Sequence, residues 1–263
     1  MGVVNVTPDS FSDGGRYADH AAAVPHARAL IAAGADIVDI GGESTRPHAE
    51  PVSEAEEMDR VLPVIAALAA DGARISVDTF KSAVAAAAVK AGASIWNDIT
   101  ALRGLPPSDA GNLAVAADLG CEVVLMHMQG EPRTMQDNPV YVDVVGEVAG
   151  FLSARAEAAV AAGVAREKIW LDPGVGFGKT VAHNLTLLAV LDRIVALGFP
   201  VVLGVSRKRF ISAIGGGEDR LGGSLAAGLA GAAAGCAALR VHDVPQTVQA
   251  LKVWAAIEAA RGQ

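Results

Sequence analysis

The sequence predicts an α/β protein closed as a single (β/α)8 TIM barrel, and three observations lead there. Eight short runs of apolar, mostly β-branched residues alternate with Ala/Leu-rich stretches of helical spacing. The runs lack regular polar alternation, as expected of parallel strands covered on both faces. The chain has 263 residues, close to the roughly 250 at which such barrels form one domain, so 1–263 is assigned to one domain. An open, doubly wound sheet is the second choice.

In chain order, Val3-Val4 is the first strand; a helix over 19–33 follows and Gly34 stops it. Asp36 to Ile40 is the second strand, and Ser53, with Glu56 three residues on, reads as a capping box opening a helix over 53–69. Arg74 to Val77 is the third strand, followed by a helix over 81–91 that Gly92 ends. Ser94 to Trp96 and Glu122 to Met126 are the fourth and fifth strands, and helical spacing resumes over 140–162. Lys168 to Leu171 is the sixth, and the helix over 182–197 is closed by Gly198-Phe199-Pro200. Pro200 to Leu203 and Ala238 to Val241 complete the set, with helices over 221–237 and 246–260.

Hydrophobic residues make up 52% of the chain but aromatics only 4%, so Ala, Val, Leu and Ile must build the core. The net charge of −8, without long runs of one sign, argues against a nucleic-acid or anionic-membrane partner, both of which need a clustered basic face. Cys121 and Cys236 lie far apart without CxxC spacing, which suggests neither a zinc site nor a disulfide framework and fits a reducing cytoplasm. No basic segment with an apolar continuation opens the chain, and no uninterrupted apolar stretch approaches the ~18 residues of a membrane span.

Each strand ends in polar residues that a core does not need. The first runs into Asn5-Val6-Thr7-Pro8-Asp9-Ser10-Phe11-Ser12-Asp13-Gly14-Gly15, and the second into Asp39 and Gly41-Gly42-Glu43-Ser44-Thr45-Arg46-Pro47. Asp78, Asn97-Asp98, His127, Asp172-Pro173-Gly174, Ser206-Arg207-Lys208 and Arg240-Val241-His242-Asp243 follow the others. In a barrel all of them share the C-terminal rim, where active sites of this fold lie. One such Asp or Asn more often caps a helix or turns the chain; this many together point to a ligand.

The groups differ in chemistry. Asp78, Asn97, Asp172 and Lys208 suit a flat heterocycle with an amidine-like edge, because a carboxylate accepts two parallel N–H bonds. Arg46, Arg240, His242 and the Asn5 amide suit a phosphate or diphosphate, with the Asn5 oxygen placed for a hard cation such as Mg²⁺. Arg240 could instead pair with a carboxylate such as Asp243, and His242 could be a core histidine. Gly174, Gly176 and Gly178 before Lys179 read as tight loop geometry that holds Phe177 toward the pocket, and His127 as a packing or orienting residue.

These motifs resemble the dihydropteroate synthases of folate biosynthesis over nearly the whole chain, most distinctively in the first loop and in Gly-Gly-Glu-Ser-Thr-Arg-Pro. The resemblance implies a barrel that joins 6-hydroxymethyl-7,8-dihydropterin diphosphate to p-aminobenzoate and releases diphosphate. It implies pterin contacts from Asp78, Asn97, Asp172 and Lys208, and Mg²⁺ held on the diphosphate with help from Asn5. Thr45, Arg46, Arg240 and His242 then bind the diphosphate, while Thr45, Pro47, Phe177, Ser206, Lys208 and, from the first loop, Phe11 form the p-aminobenzoate pocket.

In such enzymes diphosphate departs first, leaving a pterin-methyl cation that the arylamine attacks. Asp78 stabilises that cation, and Lys208, Arg240 and His242 assist the departing charge. Loops 9–20 and 41–52 are expected to be mobile without ligand and to close over the site. Sulfonamides imitate p-aminobenzoate, and a homodimer through 221–237 and 246–260 is expected. Val205 and Ala101-Leu102-Arg103 depart from the usual pattern without removing a site residue. The alternatives are a methyltetrahydrofolate-dependent methyltransferase-like barrel, which would not need the anion site, and a silent pterin-binding paralogue.

Overall fold

The computed structural model describes residues 1–7, 15–44, 50–104 and 111–261, with residues 15–21 described by backbone alone. Strands β1 (Gly2–Asn5), β2 (Val38–Gly41), β3 (Ile75–Asp78), β4 (Ile95–Asp98), β5 (Glu122–Met126) and β6 (Ile169–Asp172) pair in parallel in sequence order. Strands β7 (Val202–Leu203) and β8 (Ala238–Leu239) form a parallel pair. Parallel bridges from Leu171 to Val201 and from Gly2 to Val241 join the two pieces. Through them the eight strands close into a ring, the barrel that the β-then-α rhythm predicts. The last two strands are shorter than expected, and at β7 Pro200 lacks the N–H that would extend the ladder.

The helices are α1 (Gly15–Ala32), α2 (Glu54–Ala70), α3 (Ser82–Ala91), α4 (Asn112–Leu119), α5 (Val144–Ala161), α6 (Val181–Ala189), α7 (Asp192–Val195), α8 (Arg209–Gly215), α9 (Leu221–Ala233) and α10 (Val244–Arg261). Among the described residues no helix is long and apolar enough to cross a membrane.

Local chemistry explains where boundaries differ from expectation. The stretch 140–162 becomes helical only at Val144, because the Asp143 carboxylate accepts from Val145 N and Gly146 N and so caps the helix there. The stretch 182–197 breaks at Val190, whose φ of −135° and ψ of 37° are not helical. The capping box at Ser53 is half formed: Ser53 Oγ accepts from Glu56 N, but the Glu56 carboxylate pairs with Arg60. A full box stands instead at Thr180 and His183.

Two-residue alternation within the strands decides what faces the helices and what fills the barrel. Val4, Val38, Ile40, Val77, Trp96, Val123, Leu125, Leu171, Leu203 and Leu239 belong to the large core shared with the helices. The intervening positions face inward. At the N-terminal end they are apolar, with Ile37, Ile95, Val124 and Val202 packed against Trp170 and Ala238. Two residues further along β2, β4, β6 and β8 stand Asp39, Asn97, Asp172 and Arg240, a polar layer contributed by alternate strands.

Candidate active site

With Asp39 buried behind them, the other three members of that layer, Asn97, Asp172 and Arg240, line a cavity at the C-terminal rim. Asp78, Asn97, Asp172, Lys208 and Arg240 supply its polar wall, and Ile99, Met126, Val175 and Phe177 its apolar one. The structure therefore brings together all four residues predicted for the flat heterocycle, with Arg240 beside them.

Arg240 is the electrostatic centre. Its Nε donates to Asp39 Oδ2 at 2.6 Å and its Nη2 to Asp78 Oδ2 at 2.7 Å. Among the described residues its carboxylate partners are these two, whereas Asp243 pairs with Arg207. Asn97 Nδ2 also donates to Asp39, at 3.2 Å, which leaves the Asn97 carbonyl oxygen as an acceptor for the cavity. Asp39 is wholly buried and orients both neighbours. Sequence reasoning placed it at a strand end but gave it no role; its position two residues after Ile37, in register with the other inward residues, was the signal that could have found it.

Burial sets the protonation states. It pushes the Asp78 carboxyl up to about 7 against the pull of Arg240, with Asp39 adding to the rise. The Asp172 carboxyl is likewise raised by burial, opposed by the Gly174 N–H, which donates to Oδ1 at 2.7 Å, and by Lys208. Lys208 is brought down to about 8 by burial and by Arg240. The cavity thus holds groups that exchange protons near neutrality, as acid–base and charge-stabilising sites require.

Along the adjoining rim, His242 is pushed down to about 4, first by burial and then by Arg240 and Arg207, and so is neutral at neutral pH. Ser206 Oγ accepts from His242 N at 3.2 Å and lies 3.1 Å from Nδ1. The hydroxyl thus holds the imidazole ring by its Nδ1 edge and leaves Nε2 pointing away from Ser206. Ser206 supports His242 and is not on the cavity wall. Asn5 ends β1 beside Gly41, and an added Cβ there would lie 3.7 Å from both Asn5 Oδ1 and Asp78 Oδ2. Phe11, Thr45, Arg46 and Pro47 lie outside the described residues.

Of the two segments expected to move, 9–20 lies outside the described residues or is described by backbone alone. The described feet of 41–52 are tied together: Lys81 Nζ donates to Glu43 Oε2 at 2.6 Å, to Glu57 Oε2 at 2.7 Å and to Val52 O. The loop after β6 fulfils its expectation, with Gly174, Gly176 and Gly178 at φ of 66°, 83° and 58° and Phe177 on the cavity wall.

The family described as pterin binding enzyme matches residues 1–242. A dihydropteroate synthase of Neisseria meningitidis serogroup C is 50% identical, over 98% of this chain and 92% of that protein. A solved dihydropteroate synthase of Xanthomonas albilineans with 4-aminobenzoic acid superposes with a TM-score of 0.91 at 52% identity, covering 98% of this chain and 92% of the other. A Yersinia pestis dihydropteroate synthase in a sulfonamide drug complex gives 0.91 at 45% identity, covering 100% and 94%.

Proposed function

The chain belongs to the pterin-binding enzyme family, and we propose that it works as a dihydropteroate synthase. It joins 6-hydroxymethyl-7,8-dihydropterin diphosphate to p-aminobenzoate, giving 7,8-dihydropteroate and diphosphate. The observation that carries the reading is the meeting of Asp78, Asn97, Asp172 and Lys208 in one cavity with Arg240 at its edge.

In this reading the Asp172 carboxylate accepts the paired N–H groups of the pterin edge while Gly174 N holds it in place. Asn97 presents its carbonyl oxygen, and Asp78, across from Arg240, faces the cation that forms when diphosphate departs. His242 meets the diphosphate with its ring, and Arg240 adds positive charge beside it. The arylamine rests against Phe177 and Lys208, and Thr45, Pro47 and Phe11 are assigned to the same pocket, Ser206 acting through His242. Arg46 and Thr45 are assigned to the diphosphate. Sulfonamides bind in place of p-aminobenzoate.

Mg²⁺ fits the donors. Asn5 offers one hard amide oxygen, and among the described residues no group of three or more His, Cys, Asp and Glu could hold a metal. That suits an ion carried mainly by diphosphate and water oxygens. When bound, it neutralises negative charge on the leaving diphosphate. We also infer a symmetric dimer through α9 and α10, where Val253 and Ile257 remain 57% and 50% exposed; light scattering at the monomer mass would refute it.

The test mixes protein, Mg²⁺, dihydropterin diphosphate and p-aminobenzoate and follows diphosphate and dihydropteroate together. Equal yields support the synthase, whereas silence on both channels removes it.

A further inference from the structure

The loop from Asp172 to Thr180 is held from behind by side chains. Lys179, only 3% exposed, donates through Nζ to His127 Nδ1 at 2.9 Å and to the carbonyls of Gly174 and Phe177, both at 3.0 Å, with His127 O at 3.3 Å. An ammonium has three N–H groups, and here they meet three close acceptors. Gln136 Nε2 donates to Gly176 O at 2.6 Å, Tyr141 Oη to Gly178 O at 2.8 Å, and Gly176 N to Asn184 Oδ1 at 2.8 Å. With its backbone groups engaged on that side, the loop turns Val175 and Phe177 to the cavity.

The consequence reaches Lys208. A Cβ on Gly176 would stand 3.1 Å from Lys208 Cδ, so the lysine stem packs against that glycine, and its Nζ lies 4.1 Å from the centre of the Phe177 ring. Phe177 and Lys208 form one surface, a ring face beside an ammonium, suited to a planar aromatic acid. Of the four pterin residues, Asp78, Asn97 and Asp172 are strand residues whose positions the barrel ladder sets, and Lys208 alone belongs to the arylamine surface as well.

We propose that Lys179, seated against His127, is a positioning residue for the arylamine substrate: it fixes the Phe177–Lys208 surface, while the strands set the pterin contacts Asp78 and Asn97. The proposal rests on the dihydropteroate synthase reading. Burial brings Lys179 down to about 7, with Asp172 opposing the fall, and His127 is pushed down to about 3 by burial and by Lys179, so the imidazole beside Nζ is neutral.

Steady-state kinetics on the full chain test it. Lys179→Met keeps the stem and removes the ammonium; the KM for p-aminobenzoate should rise about tenfold or more, and at least about threefold more than the KM for the pterin diphosphate, with kcat within about threefold. Ethylammonium, but not ethanol, should lower the raised KM of Lys179→Ala. Equal rises in both KM values, no rise in either, or rescue by ethanol as well overturns the proposal. If neither variant folds, His127→Gln and His127→Leu decide: only the leucine, which offers no acceptor to Nζ, should raise the p-aminobenzoate KM, and equal behaviour of the two overturns it. A wild-type protein that makes no dihydropteroate sinks the functional reading alone. The positioning claim then rests on fluorine NMR of a 4-fluorophenylalanine at 177, whose resonance must shift or broaden in Lys179→Met or the claim fails.

Discussion

Replacing Arg240 by methionine removes the cation between Asp39 and Asp78 while keeping much of its volume. In the wild type the guanidinium lies 2.6 Å from Asp39 and 2.7 Å from Asp78, whose side chains are 0% and 15% exposed. Deleting one member of a buried pair costs about 3–5 kcal/mol, because the charge left behind has no compensation. Two carboxylates are left here, so the upper part of that range is expected above neutral pH, a large share of the ~5–15 kcal/mol that holds a domain. The cost must also depend on pH. The folded Asp78 carboxyl is raised from 3.8 to about 7, so its contribution to stability is fully present below the lower value and is lost as pH rises through the higher one. Without Arg240 that folded value climbs further. The gap between variant and wild type therefore widens as pH rises beyond the wild-type Asp78 value, by up to about 1.4 kcal/mol per unit, and narrows as pH falls. Urea unfolding of both proteins from about pH 5 to about pH 9 measures it, over a range that spans the wild-type Asp78 value. A difference that is constant across the range, or below about 1 kcal/mol throughout, would refute the assignment of Arg240 as the counter-charge of a buried carboxylate pair.

Other consequences are as direct. Asp172→Ala leaves the Gly174 N–H and the pterin edge without their acceptor, and calorimetry should show about 2–4 kcal/mol of lost pterin affinity; an unchanged affinity removes Asp172 from the pocket. His242 is pushed down to about 4 in the free protein, and a bound anion raises it, so diphosphate binding should strengthen as pH falls below neutrality and take up a proton. Calorimetry in two buffers, compared with His242→Gln to cancel the titration of diphosphate itself, reads that proton; identical proton uptake in the two proteins would contradict it. Gly174→Ala places a Cβ 1.9 Å from His127 O at a φ of 66°, so it should cost at least about 2 kcal/mol from strain and displaced loops. Wild-type urea stability in that variant would show the contact to be soft.

The barrel was legible because its signal is long-range and repetitive: eight buried strands, seven of them followed by recognisable helical sequence, leave few other architectures, although the short helix Asn112–Leu119 after the fourth escaped. The pterin-type residues were legible for the same reason, since Asp78, Asn97, Asp172 and Lys208 all follow apolar runs and the fold gathers those ends on one rim. What escaped was the pairing within the rim. Arg240 has Asp243 three residues away in sequence, yet it reaches Asp39, 201 residues distant, and Asp78, 162 residues distant, because barrel closure sets β8 beside β1 and puts the side chains of alternate strands in one layer. Treating the strands as uniformly apolar hid this. On β2 the inward positions run Ile37 then Asp39, on β4 Ile95 then Asn97, on β6 Trp170 then Asp172, and around β8 Ala238 then Arg240. Each goes from apolar to polar across one step of two, at the same height in the barrel. A reading that followed the period of two into the last pair of inward residues would have placed Asp39 in the site before any coordinates. Lys179 offered no such clue, because its three acceptors are a histidine nitrogen and two backbone carbonyls, and the carbonyls leave no mark in sequence.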